Sequence, residues 1–365
     1  EECYKCKAKK VVVDWNYQPL QKIHYRYRTL TTLGKVENYE EARWQHYVDT
    51  IPCRIYLISE DPDGLKGINQ EKMAKAQQKR YPIAKPYRDA IENKYQWCIA
   101  AVPGKAWAKK LFPELRPAAA VEKLWENILA TSRVDDDPIA AWETHNKDLH
   151  DRCAYLNSLH IEKLHYTSAT GTDFTVGMIP EGRFCGGSEK SLQGIVFNPN
   201  IPSEEVFTTP MKGQAEGIVY STRPLSYRGT MIENFSIRFE NGKVTEVKAQ
   251  KGEDALKTLV NMDEGSKMLG ECALVPFDSP IRNSGIMFYN TLFDENAACH
   301  LALGDGFANC IKDFENYTLE QCREMGINSS MIHEDFMIGS EDLNITGETE
   351  SGERVQIFKN GNWAF

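Results

Sequence analysis

The stretch MIHEDFMIGS, residues 331–340, sets His333 and Asp335 two positions apart in an apolar run. In a strand, residues i and i+2 face the same side, so an imidazole and a carboxylate would meet at one point while Glu334 faces away. Taken alone, the simpler reading is a histidine hydrogen-bonded to a local aspartate. Three further stretches carry comparable groups. FYNTLFDENAACHLALGDGF, 288–307, would bury His300 and needs a partner for it, with Asp294 and Glu295 as candidate supports. DEGSKMLGECALVP, 263–276, puts Glu271 directly before an apolar segment, which is costly for a carboxylate unless it is paired or binds metal. NPNIPSEEVFTTP, 198–210, has two glutamates between prolines.

Each stretch alone also reads as a loop acid or a helix N-cap. Together they supply Glu205, Glu271, His300, His333 and Asp335, three carboxylates and two imidazoles. Carboxylates can bridge two divalent ions about 3.5–4 Å apart while imidazoles complete each shell, which suits a hydrolytic centre.

The elements that would position these residues fall into two textures. In the first, the apolar runs VVVDW (11–15), CRIYLIS (53–59) and WCIAAVPG (97–104) alternate with helical patterns, predicting buried strands of a mostly parallel sheet in an α/β domain over 1–157. Residues 117–132 and 137–159 predict amphipathic helices. No glycine fingerprint for a dinucleotide or phosphate follows any of these strands. From 158 to 365 alternating patterns and turn signals predict a β-rich α+β domain, with Asn241-Gly242 as a two-residue hairpin turn and a helix near 252–262.

Composition narrows the function classes. With 365 residues, two domains are the natural expectation, and 41% hydrophobic with 26% charged residues describes an ordinary globular chain. A net charge of −9 disfavours nucleic acid and anionic membranes as partners, and no apolar run approaches the ~20 residues of a membrane span. Ten scattered cysteines without a regular framework read as reduced thiols, hence a cytoplasmic protein. Cys3 and Cys6 have metal-like spacing but no second pair, and their stretch reads as a helix end. Cys299 lacks any pattern that would make it a nucleophile. His145, His150, His160 and His165 are spaced like structural or solvated positions around a helix end.

Through GTDFTVGM, GGS, NPNIPSEEVFTTP, DEGSKMLGECALVP, FYNTLFDENAACHLALG and GINSSMIHEDFMIGS, the chain resembles the thermophilic-type metalloaminopeptidases, the aminopeptidase T and aminopeptidase S family. The resemblance covers 165–365 and, more diffusely, the part before it. It implies Glu205, Glu271, His300, His333 and Asp335 as ligands of two divalent ions, zinc or cobalt, with manganese or magnesium also admitted. It further implies that a metal-activated water releases N-terminal amino acids from short peptides with a free N-terminus, that Glu271 is a candidate general base as well as a ligand, and that the protein is a homodimer. Where many family members carry an active-site tyrosine, seven residues after the HLALG histidine, this chain has Phe307. Losing a hydroxyl that acts in the transition state would cost ~10²–10³ in rate. Family members also carry a strand–helix unit ahead of EECYKCKAKKVVVDW, so that unit is expected to be missing here. Two alternatives follow: a catalytically impaired member with a structural metal site, and a metallohydrolase of another amide or ester.

Overall fold

The computed structural model describes residues 1–365. Its first part is mainly helical. A short strand, Arg54–Ile58, and a second, Trp97–Ala101, pair in parallel, joined by the long helix Gln70–Ile91. The predicted helices appear as Pro117–Thr131 and Pro138–Ser158, each with proline in its first turn, where the missing N–H costs nothing.

The expected parallel sheet is only two strands wide, and VVVDW forms no strand. An apolar run becomes a strand only if a neighbour completes its hydrogen-bond ladder, and residues 11–15 have none. They run as exposed chain, with the Asp14 carboxylate accepting from the Tyr47 hydroxyl at 2.9 Å. Nor is the strand Arg54–Ile58 buried as expected, since Ile55, Tyr56 and Leu57 are exposed.

Beyond residue 158 two antiparallel sheets dominate. A nine-stranded sheet contains Ile161–Thr167, Asp173–Met178, Pro210–Tyr220 and the hairpin Thr230–Glu240 with Lys243–Lys251. That hairpin turns at Asn241 and Gly242, both with positive φ as the Asn-Gly turn requires. The smaller sheet orders its five strands as His333–Met337, His300–Gly304, Leu269–Leu274, Val206–Thr208 and Cys185–Gly186. One face of it sends Val206, Cys272, Leu274, Leu301, Leu303 and Phe336 into the same core as Phe174, Phe235 and Ile345 of the larger sheet. Burial of that shared core provides the main cohesion of this half, at about 25 cal/mol per Å² of apolar surface.

Packing crosses the change of texture at 158. Leu149, Cys153 and Leu156 of the last long helix belong to the core between the sheets. A second core joins Trp107, Leu124 and Ile128 to Phe288 and Phe293, and the Trp107 indole N–H donates to the Phe288 carbonyl at 2.6 Å.

Candidate metal centre

The register of the five-stranded sheet decides which side chains share its other face. Ala302 lies opposite both Glu271 and Asp335, and Ala273 lies opposite both His300 and Phe207. Directly paired residues project to one side, as do residues two apart in a strand. His300 is two from Ala302, His333 two from Asp335, and Glu205 two from Phe207, so all five predicted residues fall on the face away from the core. Small residues at 273, 302 and 304 leave the lattice points between them open. Gly270 sits where the register shifts between Leu269 and Glu271, and a Cβ there would stand 2.2 Å from the Asp305 carbonyl. Glycine is what lets the strand bulge at this place and turn Glu271 inward.

The structure brings all five residues together in two groups that share one carboxylate. Glu205, Glu271 and His300 form one, and Glu271, His333 and Asp335 the other, each geometrically able to hold a metal ion. His300 Nε2 lies 3.1 Å from Glu205 Oε2, while His333 Nε2 lies 3.0 Å from Glu271 Oε2 and 3.3 Å from Asp335 Oδ1. Glu205, Glu271, His300 and Asp335 are buried, and the His333 side chain keeps 26% of its surface open, which makes it the exposed edge of the cluster.

Both rings are held from behind. His300 Nδ1 donates to the Ala298 carbonyl at 3.2 Å, and His333 Nδ1 donates to the Asp305 carbonyl at 2.7 Å. A carbonyl can only accept, so each Nδ1 carries hydrogen and each Nε2 is turned to the carboxylates as the coordinating nitrogen.

The charges are strongly coupled. Burial raises the Glu271 carboxyl above its ordinary range despite the neighbouring imidazole of His333. Burial alone would lower His300, but the hydrogen bond and charge of Glu205 outweigh it and carry the imidazole to about 9. Without a cation the site therefore keeps protons that a divalent ion would displace. Asp335 Oδ1 is buried and has no hydrogen-bond partner, although His333 stands beside it. An orphaned carboxylate oxygen among two imidazoles and two more carboxylates matches a hard-to-borderline divalent cation, so the donor set fits the metal that sequence led us to expect.

Supporting residues differ from expectation. Asp294 and Glu295 do not hold His300. Asp294 pairs with Arg223 at 3.3 Å and accepts from the Phe288 and Asn290 amides, each at 3.0 Å. Glu295 stands beside Asp335 instead, and its own carboxyl is raised well above normal, first by burial and then by the charges of Asp335, Glu205 and Glu271. The run DENAACH turns through a short 3-10 segment, Glu295–Ala297, before the strand begins, and this redirects both acids.

Sequence reasoning missed the brace behind Glu205. Arg133 makes a two-pronged ion pair with the buried Glu204, with Nη2 to Oε2 at 2.7 Å. His145, expected as structural or solvated, is nearly covered, and its Nε2 donates to the Ser203 carbonyl at 2.7 Å. The Glu204 amide donates to Asn296 Oδ1 at 2.6 Å. The doublet Glu204-Glu205 thus splits its work, one acid anchored to the helical half and the other presented to the cluster. Phe307 lines the open side, with its ring centroid 4.8 Å from that of His333 and 5.5 Å from that of Phe207. Cys299 is structural, its sulfur accepting from the Val275 amide at 3.4 Å and donating to the Val275 carbonyl at 3.3 Å. Cys3 lies within the single helical turn Glu2–Lys5 and Cys6 caps its end, and neither joins a metal-binding group.

The chain is similar to known proteins along its whole length. A family profile described as thermophilic metalloprotease (M29) matches residues 1–363. Aminopeptidase AmpS of Bacillus subtilis is 41% identical over 367 residues, spanning 100% of this chain and 89% of the relative. Aminopeptidase T of Thermus aquaticus is 42% identical over 313 residues, 85% of this chain and 76% of the relative. The solved structure of wild-type AmpT from Thermus thermophilus superposes with a TM-score of 0.87 at 36% identity, covering 100% of this chain and 89% of that one.

Proposed function

We propose that this chain, which belongs to the thermophilic metalloprotease (M29) family, is a metal-dependent aminopeptidase that removes N-terminal residues from short peptides. The observation that carries the reading is the pair of triads sharing Glu271 on one face of the small sheet. Glu205 and His300 would serve one divalent ion and His333 and Asp335 the other, with Glu271 common to both. Zinc or cobalt suits the mixed nitrogen and carboxylate donors, with manganese or magnesium as substitutes. When bound, the ions supply Lewis-acid polarisation of the scissile carbonyl and acidification of water.

The protein's own residues prepare that chemistry. The Ala298 and Asp305 carbonyls fix both imidazoles in one tautomer. Glu295 stands beside Asp335, and the Arg133–Glu204 brace fixes the backbone that presents Glu205. Glu271, besides its role as a ligand, is the candidate general base that would accept a proton and return it to the leaving amine. Phe207 and Phe307 give the open side an apolar wall that limits water. The division at 157/158 belongs to the same reading as a boundary of texture, with 1–157 bracing the metal-binding part, 158–365. A cytoplasmic homodimer completes the proposal. Exposed Val12, Trp15 and Leu57 offer apolar surface for association, and no helix is long and apolar enough to cross a membrane.

Release of p-nitroaniline from aminoacyl-p-nitroanilides tests the activity. Turnover that disappears when the substrate amine is acetylated is expected. Equal rates on free and acetylated substrates would point instead to a hydrolase of other amides or esters. Phe307 favours a second reading, a member with metal but impaired catalysis, because its ring stands at the cluster without a hydroxyl to donate. Under that reading Phe307→Tyr raises turnover by up to ~10²–10³.

A further inference from the structure

The functional face of the small sheet carries one more reactive pair, which the metal chemistry does not use. Cys185 is paired with Phe207 and so projects to the same side as Glu205. Cys310 is buried in the short turn Ala308–Cys310, directly after Phe307. Backbone contacts bind the two segments together. The Arg183 amide donates to the Cys310 carbonyl at 2.8 Å, Arg183 Nε donates to the Asn309 carbonyl at 2.8 Å, and the Cys185 thiol donates to that same carbonyl at 3.5 Å. Both cysteines are free and pack in one small cluster with Phe207, Ala273 and Phe307.

The other buried thiols are in different surroundings. Burial pushes Cys299 up to about 12, and Cys153 and Cys272 are raised by burial as well. Within the pair Cys185 is lowered, chiefly by Cys310, with burial opposing and Arg183 assisting, while Cys310 is raised well above the ordinary thiol range by burial and by Cys185. As a residue Cys185 is half-buried, whereas Cys310 is buried.

We propose that Cys185 and Cys310 form an oxidisable dithiol that a hydroperoxide closes to a disulfide, clamping the wall of the metal cluster. The Cys185 thiol releases its proton, the thiolate attacks the terminal peroxide oxygen, the O–O bond breaks, and a sulfenic acid forms as the other oxygen takes up that proton and leaves as water or alcohol. The Cys310 thiol then attacks the sulfenic sulfur, its proton leaves with the displaced hydroxide as water, and the S–S bond forms. Two electrons pass from sulfur to the peroxide, and a dithiol reductant reverses the change. Closing the bond draws the turn after Phe307 toward the strand Cys185–Gly186. Phe307 is tied to Thr209 through its amide at 2.8 Å and rests on His333, so the displacement reaches the cluster.

The test treats the purified, reduced full chain with stoichiometric hydrogen peroxide, then blocks free thiols and maps the peptides. We expect a linked peptide pair containing Cys185 and Cys310, loss of alkylation at both, and recovery with dithiothreitol. Cys185→Ser and, separately, Cys310→Ala each remove the link while the remaining thiol stays alkylatable. Sulfinic or sulfonic acid on Cys185 without a link, or unchanged alkylation of both, would overturn the proposal. Metal content and p-nitroanilide turnover are read on the same samples. A reversible loss of activity on the order of tenfold to a hundredfold is the expected cost of a displacement near 1 Å at the site. The activity arm rests on the aminopeptidase reading, whereas the linked peptide does not, so failure of one is distinguishable from failure of the other. A linked protein with unchanged metal content and unchanged turnover would overturn the clamp.

Discussion

The two faces of the five-stranded sheet are built from the same strands and obey opposite rules. On one, Cys272, Leu274, Leu301, Leu303 and Phe336 are dry and apolar and complete the core against the larger sheet. On the other, within the same few residues, stand Glu271, His300, His333 and Asp335. Alternation along each strand sorts the residues, and the core face fixes the register on which the functional face depends. A one-residue slip would put the carboxylates into the core and the leucines at the cluster. Stability on one side thus provides positional accuracy on the other.

Substitutions can break this comparison at either face. The largest effect is expected from His333→Ala, which removes a proposed ligand and should abolish turnover and one bound metal while leaving the melting temperature of the metal-free protein close to wild type. Calorimetry and metal analysis of the same sample check both halves of that statement, and normal turnover would remove His333 from the centre. Next comes Leu301→Ala on the core face, expected to cost about 2–5 kcal/mol in denaturant unfolding while the folded fraction keeps its full metal complement. Smaller again is Glu295→Gln, which keeps the shape of the group that stands beside Asp335 but alters its proton. Metal affinity by competitive titration should weaken about 10–100-fold, and the core should be unaffected. The least effect is expected from Lys163→Ala. Its ion pair with Glu348 spans 3.8 Å between two exposed side chains of neighbouring inner strands of the larger sheet, and no more than about 1 kcal/mol should be lost.

The same contrast explains what the sequence made legible. His333 and Asp335 were readable because i, i+2 spacing in a strand is a local rule. The buried His300 and Glu271 stood out because an ionisable group inside an apolar run needs a partner. The Asn241-Gly242 turn and the two proline-led helices were equally local. The failures concern partners supplied by distant segments. VVVDW has strand-like side chains but no neighbouring ladder. Glu295 turns to Asp335 because a 3-10 segment intervenes before His300, and no periodicity in DENAACH signals it. The Arg133–Glu204 brace and the Cys185–Cys310 pair join segments far apart in the chain, which only the packing of helix on sheet and turn on strand brings together. The residues that do the proposed chemistry were therefore more visible than those that hold them still.

The central claim is that two ion sites sharing Glu271 act together. Its most direct test is to strip the protein of metal, titrate it with zinc, and follow bound metal and aminoacyl-p-nitroanilide turnover in the same cuvette. The account predicts that turnover stays low through the first equivalent and reaches its plateau at the second. Full turnover at a single equivalent, or two tightly bound ions in a Glu271→Gln variant with unchanged affinity, would contradict it.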